Sequence, residues 1–313
     1  MTLKKINSDW YYRFGLLMVL LAASSFAFKG VLAKLTFHEN ITIISLLLIR
    51  FTIATPLFWL APTFTSTKLN ISKLSKKDFL LCFISGFLFF ISAVTDFKAI
   101  SLIDVSIERV IFFSYPVFII LLNSFLVKKL PSVNYIIVFL IIEFGIMLVV
   151  GLISKLGTFN ANLQGTLWAL CAAVSYAIYL VMGQQIMKKI GSMAFTILAN
   201  NATFVFLILQ FLFFGNKSEL YVSKLGMFYI VLIALFCTVI PFFLVFEGIK
   251  RIGANKAALL SMTGPIVTLF ASHFILGEKL DHYQIIGVLL VLGGVAVLEG
   301  NISLKKMMNY FQE

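Results

Sequence analysis

The chain has 313 residues, of which 61% are hydrophobic and 12% charged, and a mean hydropathy of +1.03. That much apolar surface excludes a soluble globular domain. The formal net charge of +12 would suit a nucleic-acid binder, but the basic residues lie as pairs between apolar runs and are not gathered on one domain, so the predicted partner is the lipid bilayer and not nucleic acid.

Crossing about 30 Å of hydrocarbon takes roughly 20 helical residues. In chain order, apolar runs of that length predict an all-α integral membrane protein with ten transmembrane helices. They fall near 13–35, 41–61, 78–100, 104–127, 133–153, 163–186, 193–214, 226–249, 254–276 and 282–299. The first run follows Lys4, Lys5 and Arg13 like the core of a signal peptide. It is long and has no small-residue cleavage site, so it reads as a spanning helix.

Lys68, Lys73, Lys76 and Lys77 fill the second gap; Lys128-Lys129, Lys188-Lys189, Lys250-Arg251-Lys256 and Lys305-Lys306 fill every alternate gap after it. With the N-terminal three, one side holds sixteen basic residues and the other six. This asymmetry predicts an inner (plasma) membrane protein with both termini in the cytoplasm. Cys82, Cys171 and Cys237 each sit alone in an apolar run, and no metal-ligand spacing occurs, so neither disulfide, metal nor cofactor is expected.

The second half repeats the first. At an offset of 150, Leu20, Ala22, Ala23, Ser25 and Ala27 fall on Leu170, Ala172, Ala173, Ser175 and Ala177. At 149, Phe97, Ile100, Ile103, Pro116, Phe125 and Gly145 fall on Phe246, Ile249, Ile252, Pro265, Phe274 and Gly294. Residues 1–155 and 156–313 therefore read as two five-helix units. Because five is odd, the units enter the membrane from opposite sides and are inverted repeats. Such repeats have two near-equivalent packings, so a site between them can face either side in turn.

In the second half, Phe246-Glu247-Gly248-Ile249-Lys250-Arg251-Ile252-Gly253-Ala254, Ala257-Ala258-Leu259-Leu260-Ser261, Gly264-Pro265-Ile266-Val267, Leu276-Gly277-Glu278-Lys279-Leu280 and Gly293-Gly294 follow one another in order, and Arg50-Phe51 stands in the second helix. In this ordered series the chain resembles the drug/metabolite transporter superfamily, specifically its EamA-type ten-helix members. The resemblance covers essentially the whole chain. It implies a transporter, with export of amino acids and related metabolites common, and makes Arg50 a packing or gating arginine.

An ionised group deep in the bilayer costs at least about 2.5–3.5 kcal/mol, so each requires a partner or a wet cavity. Lys29 falls about 9 Å from the outer end of helix 1, Glu108 and Arg109 about 6–8 Å from that of helix 4, and Arg50 near the middle of helix 2. They predict a polar chamber in which Lys29 or Arg50 holds a carboxylate or phosphate, while Glu108 meets an amine or cycles a proton. Arg109 is expected to point away from Glu108, since successive helical residues diverge by about 100°.

Glu108, Phe112, Tyr115 and Ile119 share a helical stripe, and Tyr176 and Tyr179 add polar handles on aromatic walls able to hold a soft cation. Asp96, with Lys98 and Asp104, reads as an exposed gate near the outer end of helix 3, and Glu247 mirrors it at the cytoplasmic mouth. Pro116 and Pro265 occupy matching places and are expected to bend helices 4 and 9 into rocking elements.

The sequence contains no H-E-x-x-H, G-x-S-x-G, P-loop or paired-aspartate motif, and its three histidines are far apart, so an enzyme is not expected. The expected function is secondary transport of a small polar metabolite, an amino acid or related zwitterionic or cationic compound such as an adenosyl-type metabolite. Protons are a candidate coupling ion, and the protein would act as a monomer or homodimer. The alternative is a lipid or lipid-linked substrate translocator of the same superfamily.

Overall fold

The computed structural model describes residues 2–64, 74–103, 105–128, 133–149, 163–264, 266, 267, 270 and 282–301. Its helices are α1 Thr2–His38, α2 Ile43–Leu60, α3 Lys76–Leu102, α4 Val105–Phe112, α5 Tyr115–Val127 and α6 Val133–Val149. The second half follows with α7 Leu163–Ile190, α8 Ser192–Phe214, α9 Lys224–Ala234, α10 Ile240–Ile252, α11 Ala254–Ser261 and α12 His282–Asn301. α4 with α5 forms the fourth span, α9 with α10 the eighth, and α11 opens the ninth. The chain has the all-α, ten-helix, two-repeat membrane fold; among the described residues six helices are long and apolar enough to cross a membrane, and shorter apolar helices accompany them.

Helix starts coincide with polar caps. Thr42, Ser75 and Ser223 accept hydrogen bonds from the backbone N–H groups of Ser45, Asp78 and Gly226, which occupies orphan donors at the heads of α2, α3 and α9.

Two spans depart from continuous helices. The sequence predicts a bend at Pro116; the structure instead breaks the helix at Phe113 and Ser114 and places Pro116 in the first turn of α5. A proline there loses no intrahelical hydrogen bond, so a clean break costs less than a kink. Pro265 lies outside the described residues. In the eighth span, Leu235–Val239 wind as a π turn just ahead of Pro241, a feature the sequence reading did not anticipate.

The packing carries the repeat. α3 runs along α7, and α10 along α1. The repeat exchanges the third span with the eighth and the first with the sixth, so these contacts are one pair seen twice. α2–α8 and α6–α12 pair each helix with its own equivalent, as a two-fold axis in the membrane plane requires. α3 and α8 approach closely at Gly86, where a Cβ would overlap the Ala199 carbonyl oxygen and the Ala202 methyl.

Candidate functional site

Between the halves lies a cavity walled by α1, α2, α3, α4, α5, α7, α10 and α11. Its interior offers about 80 Å³ to the centres of water molecules. One water needs roughly 10–15 Å³ by that measure, so the cavity takes several waters or a small solute. Phe89, Ser92, Ala93 and Asp96 line it from α3. Their spacing of three, four and seven residues puts them on one helical stripe.

Lys29, Arg50, Tyr115 and Tyr176, the candidate substrate contacts, also line the cavity, and so does Arg109, which the sequence places among the gate or coupling residues. Asp96 is a correction. It is 1% exposed and forms an ion pair with Lys29 at 3.0 Å, so it belongs to the chamber and is no exposed gate. Lys98, two residues on, is exposed, and Asp104 lies outside the described residues. Helical phase, not distance from the helix end, decides which of these neighbours is buried.

Glu108 and Arg109 also differ from expectation. Arg109 reaches back so that its Nε lies 3.3 Å from Glu108 Oε2. The long guanidinium stem spans the divergence of adjacent helical positions. Glu108 itself is fully buried behind the wall, and its carboxyl group interacts with that of Asp96. Both Glu108 oxygens and Asp96 Oδ1 are buried with no hydrogen-bond donor among the described residues.

The aromatic wall is already used. The Lys29 ammonium lies 5.6 Å from the Phe97 ring centroid and 5.7 Å from that of Phe112, so the protein's own cation takes one of the rings, Phe112, expected to hold a soft cationic solute. Tyr115 donates its hydroxyl hydrogen to the Ala258 carbonyl at 3.2 Å, tying the fifth helix to the second half. Tyr176 packs edge to face on Tyr115, with centroids 5.1 Å apart.

Tyr179 lies one turn deeper and does not line the cavity. It is fully buried against Phe89, Phe195 and Phe246. These rings, with Phe242, floor the chamber toward the lysine-rich end of the bundle. Beyond them, Glu247 bonds Ser192 and Arg251 and lies 3.6 Å from Lys250. The Arg251 guanidinium covers the rings of Tyr11 and Phe14, so this cluster joins α1, α8 and α10 at the mouth. The structure does not bring Glu247 together with the chamber residues.

Sequence reasoning missed Thr238. Its hydroxyl accepts the Arg50 Nε hydrogen at 2.6 Å across 188 positions of sequence. No carboxylate lies within 4.0 Å of the Arg50 guanidinium among the described residues. Asn200, the repeat equivalent of Arg50, donates to the Thr196 carbonyl on its own helix, and its Oδ1 is buried with no hydrogen-bond partner among the described residues.

The EamA-like transporter family matches the chain in two stretches, residues 13–151 and 163–299. The chain is 30% identical to the uncharacterized transporter YcbK of Bacillus subtilis over 94% of each chain. It is 28% identical to the uncharacterized transporter sll1319 of Synechocystis, covering 91% of this chain and 92% of that one. A solved crystal structure, 18% identical, superposes with a TM-score of 0.76 over 90% of this chain and 97% of the other, a likeness of fold.

Proposed function

Because the chain belongs to the EamA-like transporter family, we propose that it carries a small polar metabolite across the inner membrane by alternating access, as a secondary transporter. The substrate class is an amino acid or a related zwitterionic or cationic compound, adenosyl-type metabolites included. The observation that carries this reading is the chamber itself: a small cavity at the junction of the halves, with room for water and with cationic and carboxyl side chains in its wall. A hydrocarbon solute would leave those groups without polar partners, and a zwitterion would not.

The lysine asymmetry supports cytoplasmic termini. On that orientation the aromatic floor and the Glu247 cluster form the cytoplasmic closure. The facing carboxyl groups of Asp96 and Glu108 lack a donor between them, which supports a shared proton and proton coupling. Both walls come from one chain, so a monomer suffices.

Counterflow into proteoliposomes tests the proposal. Vesicles preloaded with unlabelled amino acids, polyamines, nucleosides, or sulfonium and quaternary-ammonium compounds should trap the labelled form of one class. Failure to trap any of them, with protein-dependent scrambling of a fluorescent lipid, would favour the lipid-translocator alternative.

A further inference from the structure

Among the described residues three cationic side chains line the chamber, and two of them lie against a carboxyl group of the protein, Lys29 against Asp96 and Arg109 against Glu108. Arg50 has no carboxyl group within 4.0 Å among the described residues. It is 2% exposed, lies in the middle of α2 and forms part of the cavity wall. A guanidinium stays charged in proteins, so it cannot escape burial by losing a proton and needs an anion or water beside it.

Its hydrogen bond to Thr238 fixes how it is aimed. The Thr238 hydroxyl donates its hydrogen to the Ile233 carbonyl at 2.8 Å, the five-residue reach set by the π turn. Only a lone pair remains for Arg50, whose Nε donates to it at 2.6 Å. The Phe51 ring lies 5.4 Å from the guanidinium carbon. The two terminal nitrogens donate to no described residue, and they form the planar edge that matches a carboxylate with two parallel bonds. The second half has the neutral Asn200 at the equivalent position, so the repeat supplies this feature once.

We propose that the free edge of the Arg50 guanidinium is the carboxylate subsite of the chamber, and that Thr238 is the positioning residue that aims it. The assignment rests on the chamber being the transport site, and it narrows the substrate class to solutes that carry a carboxylate.

The test compares the proteinogenic amino acids with their α-carboxamides in thermal unfolding of the purified full-length protein, with Arg50→Gln, Arg50→Lys, Thr238→Val and Thr238→Ser beside the wild type. At least one acid should raise the unfolding midpoint while its amide does not. Arg50→Gln should abolish that response. Arg50→Lys keeps the charge but not the fork, and should weaken binding about tenfold or more. Thr238→Val should weaken it similarly, and Thr238→Ser, which keeps the hydroxyl, should restore it.

Equal responses to acid and amide, no response to any acid, or an undiminished acid response in Arg50→Gln would overturn the assignment. Where Arg50→Gln fails to fold, equal acid affinity in Thr238→Val and Thr238→Ser does so. Counterflow separates the two readings. Transport of a solute without a carboxylate, unaffected by Arg50→Lys, removes the subsite and leaves the transporter. Acid binding that needs Arg50, with no counterflow of the bound acid, removes the transport reading and leaves the subsite.

Discussion

Lys29 on α1 and Asp96 on α3 meet at 3.0 Å in the chamber wall, with side-chain exposures of 15% and 2%. Neither helix end predicts this contact, which joins positions 67 residues apart. Removing one member of a buried pair strands the other charge, at a cost of about 3–5 kcal/mol in a dry interior. Here Lys29 borders the cavity and is partly exposed, so we expect Asp96→Asn or Lys29→Met to cost about 2–3 kcal/mol. The double variant should recover most of that loss in unfolding measurements. Additive losses would show that the pair contributes no coupling.

Tyr179 tests the aromatic floor. Its hydroxyl is buried with no hydrogen-bond partner among the described residues. An unsatisfied buried hydroxyl costs about 1–3 kcal/mol, so Tyr179→Phe should stabilise this conformation, by about 1 kcal/mol after any relaxation. If the hydroxyl finds its partner when the floor opens, the same variant slows transport. A lower unfolding midpoint for Tyr179→Phe would mean that the phenol is already bonded.

Glu108 and Asp96 leave three buried carboxyl oxygens with no hydrogen-bond partner among the described residues. One proton held between them would satisfy the contact. Glu108→Gln supplies amide donors in the same volume, so we expect stability within about 1 kcal/mol of wild type. Transport should then no longer respond to an imposed pH gradient. A variant that remains gradient-driven would exclude Glu108 as the proton carrier.

Gly86 holds α3 against α8. A methyl there meets the Ala199 carbonyl oxygen, which belongs to backbone and cannot swing aside. Gly86→Ala should therefore destabilise by about 1–3 kcal/mol, the usual cost of overpacking. Gly293→Ala is the control, because nothing lies within 4 Å of a Cβ at that position. Equal unfolding midpoints for the two variants would contradict the close approach of the helices.

The spans, the inversion and the family were legible in the sequence because hydropathy, lysine spacing and the repeat are local or periodic signals. Lys29 and Arg50 could be placed at the cavity from sequence, since charge in a membrane helix needs polar company, whereas Arg109 could not, because helical phase alone turns it away from Glu108. Asp96 was misplaced although the signal existed: Phe89, Ser92, Ala93 and Asp96 form a stripe at helical spacing. Tyr179 sits three residues beyond Tyr176 on the same helix, and only the packing of Phe195 and Phe246 seals one and leaves the other in the wall. The Arg50–Thr238 bond depends on a π turn and on contact between the halves, neither of which leaves a pattern in the neighbouring residues.

Two-sided accessibility of the chamber tests alternating access most directly. With Cys82, Cys171 and Cys237 replaced, Ala27→Cys puts a thiol at a position that lines the cavity. In oriented proteoliposomes, a membrane-impermeant maleimide should reach that thiol from either face, and a transported solute should change the two rates in opposite directions. Labelling from one face alone, whatever solute is present, would contradict a carrier whose site is presented to both sides.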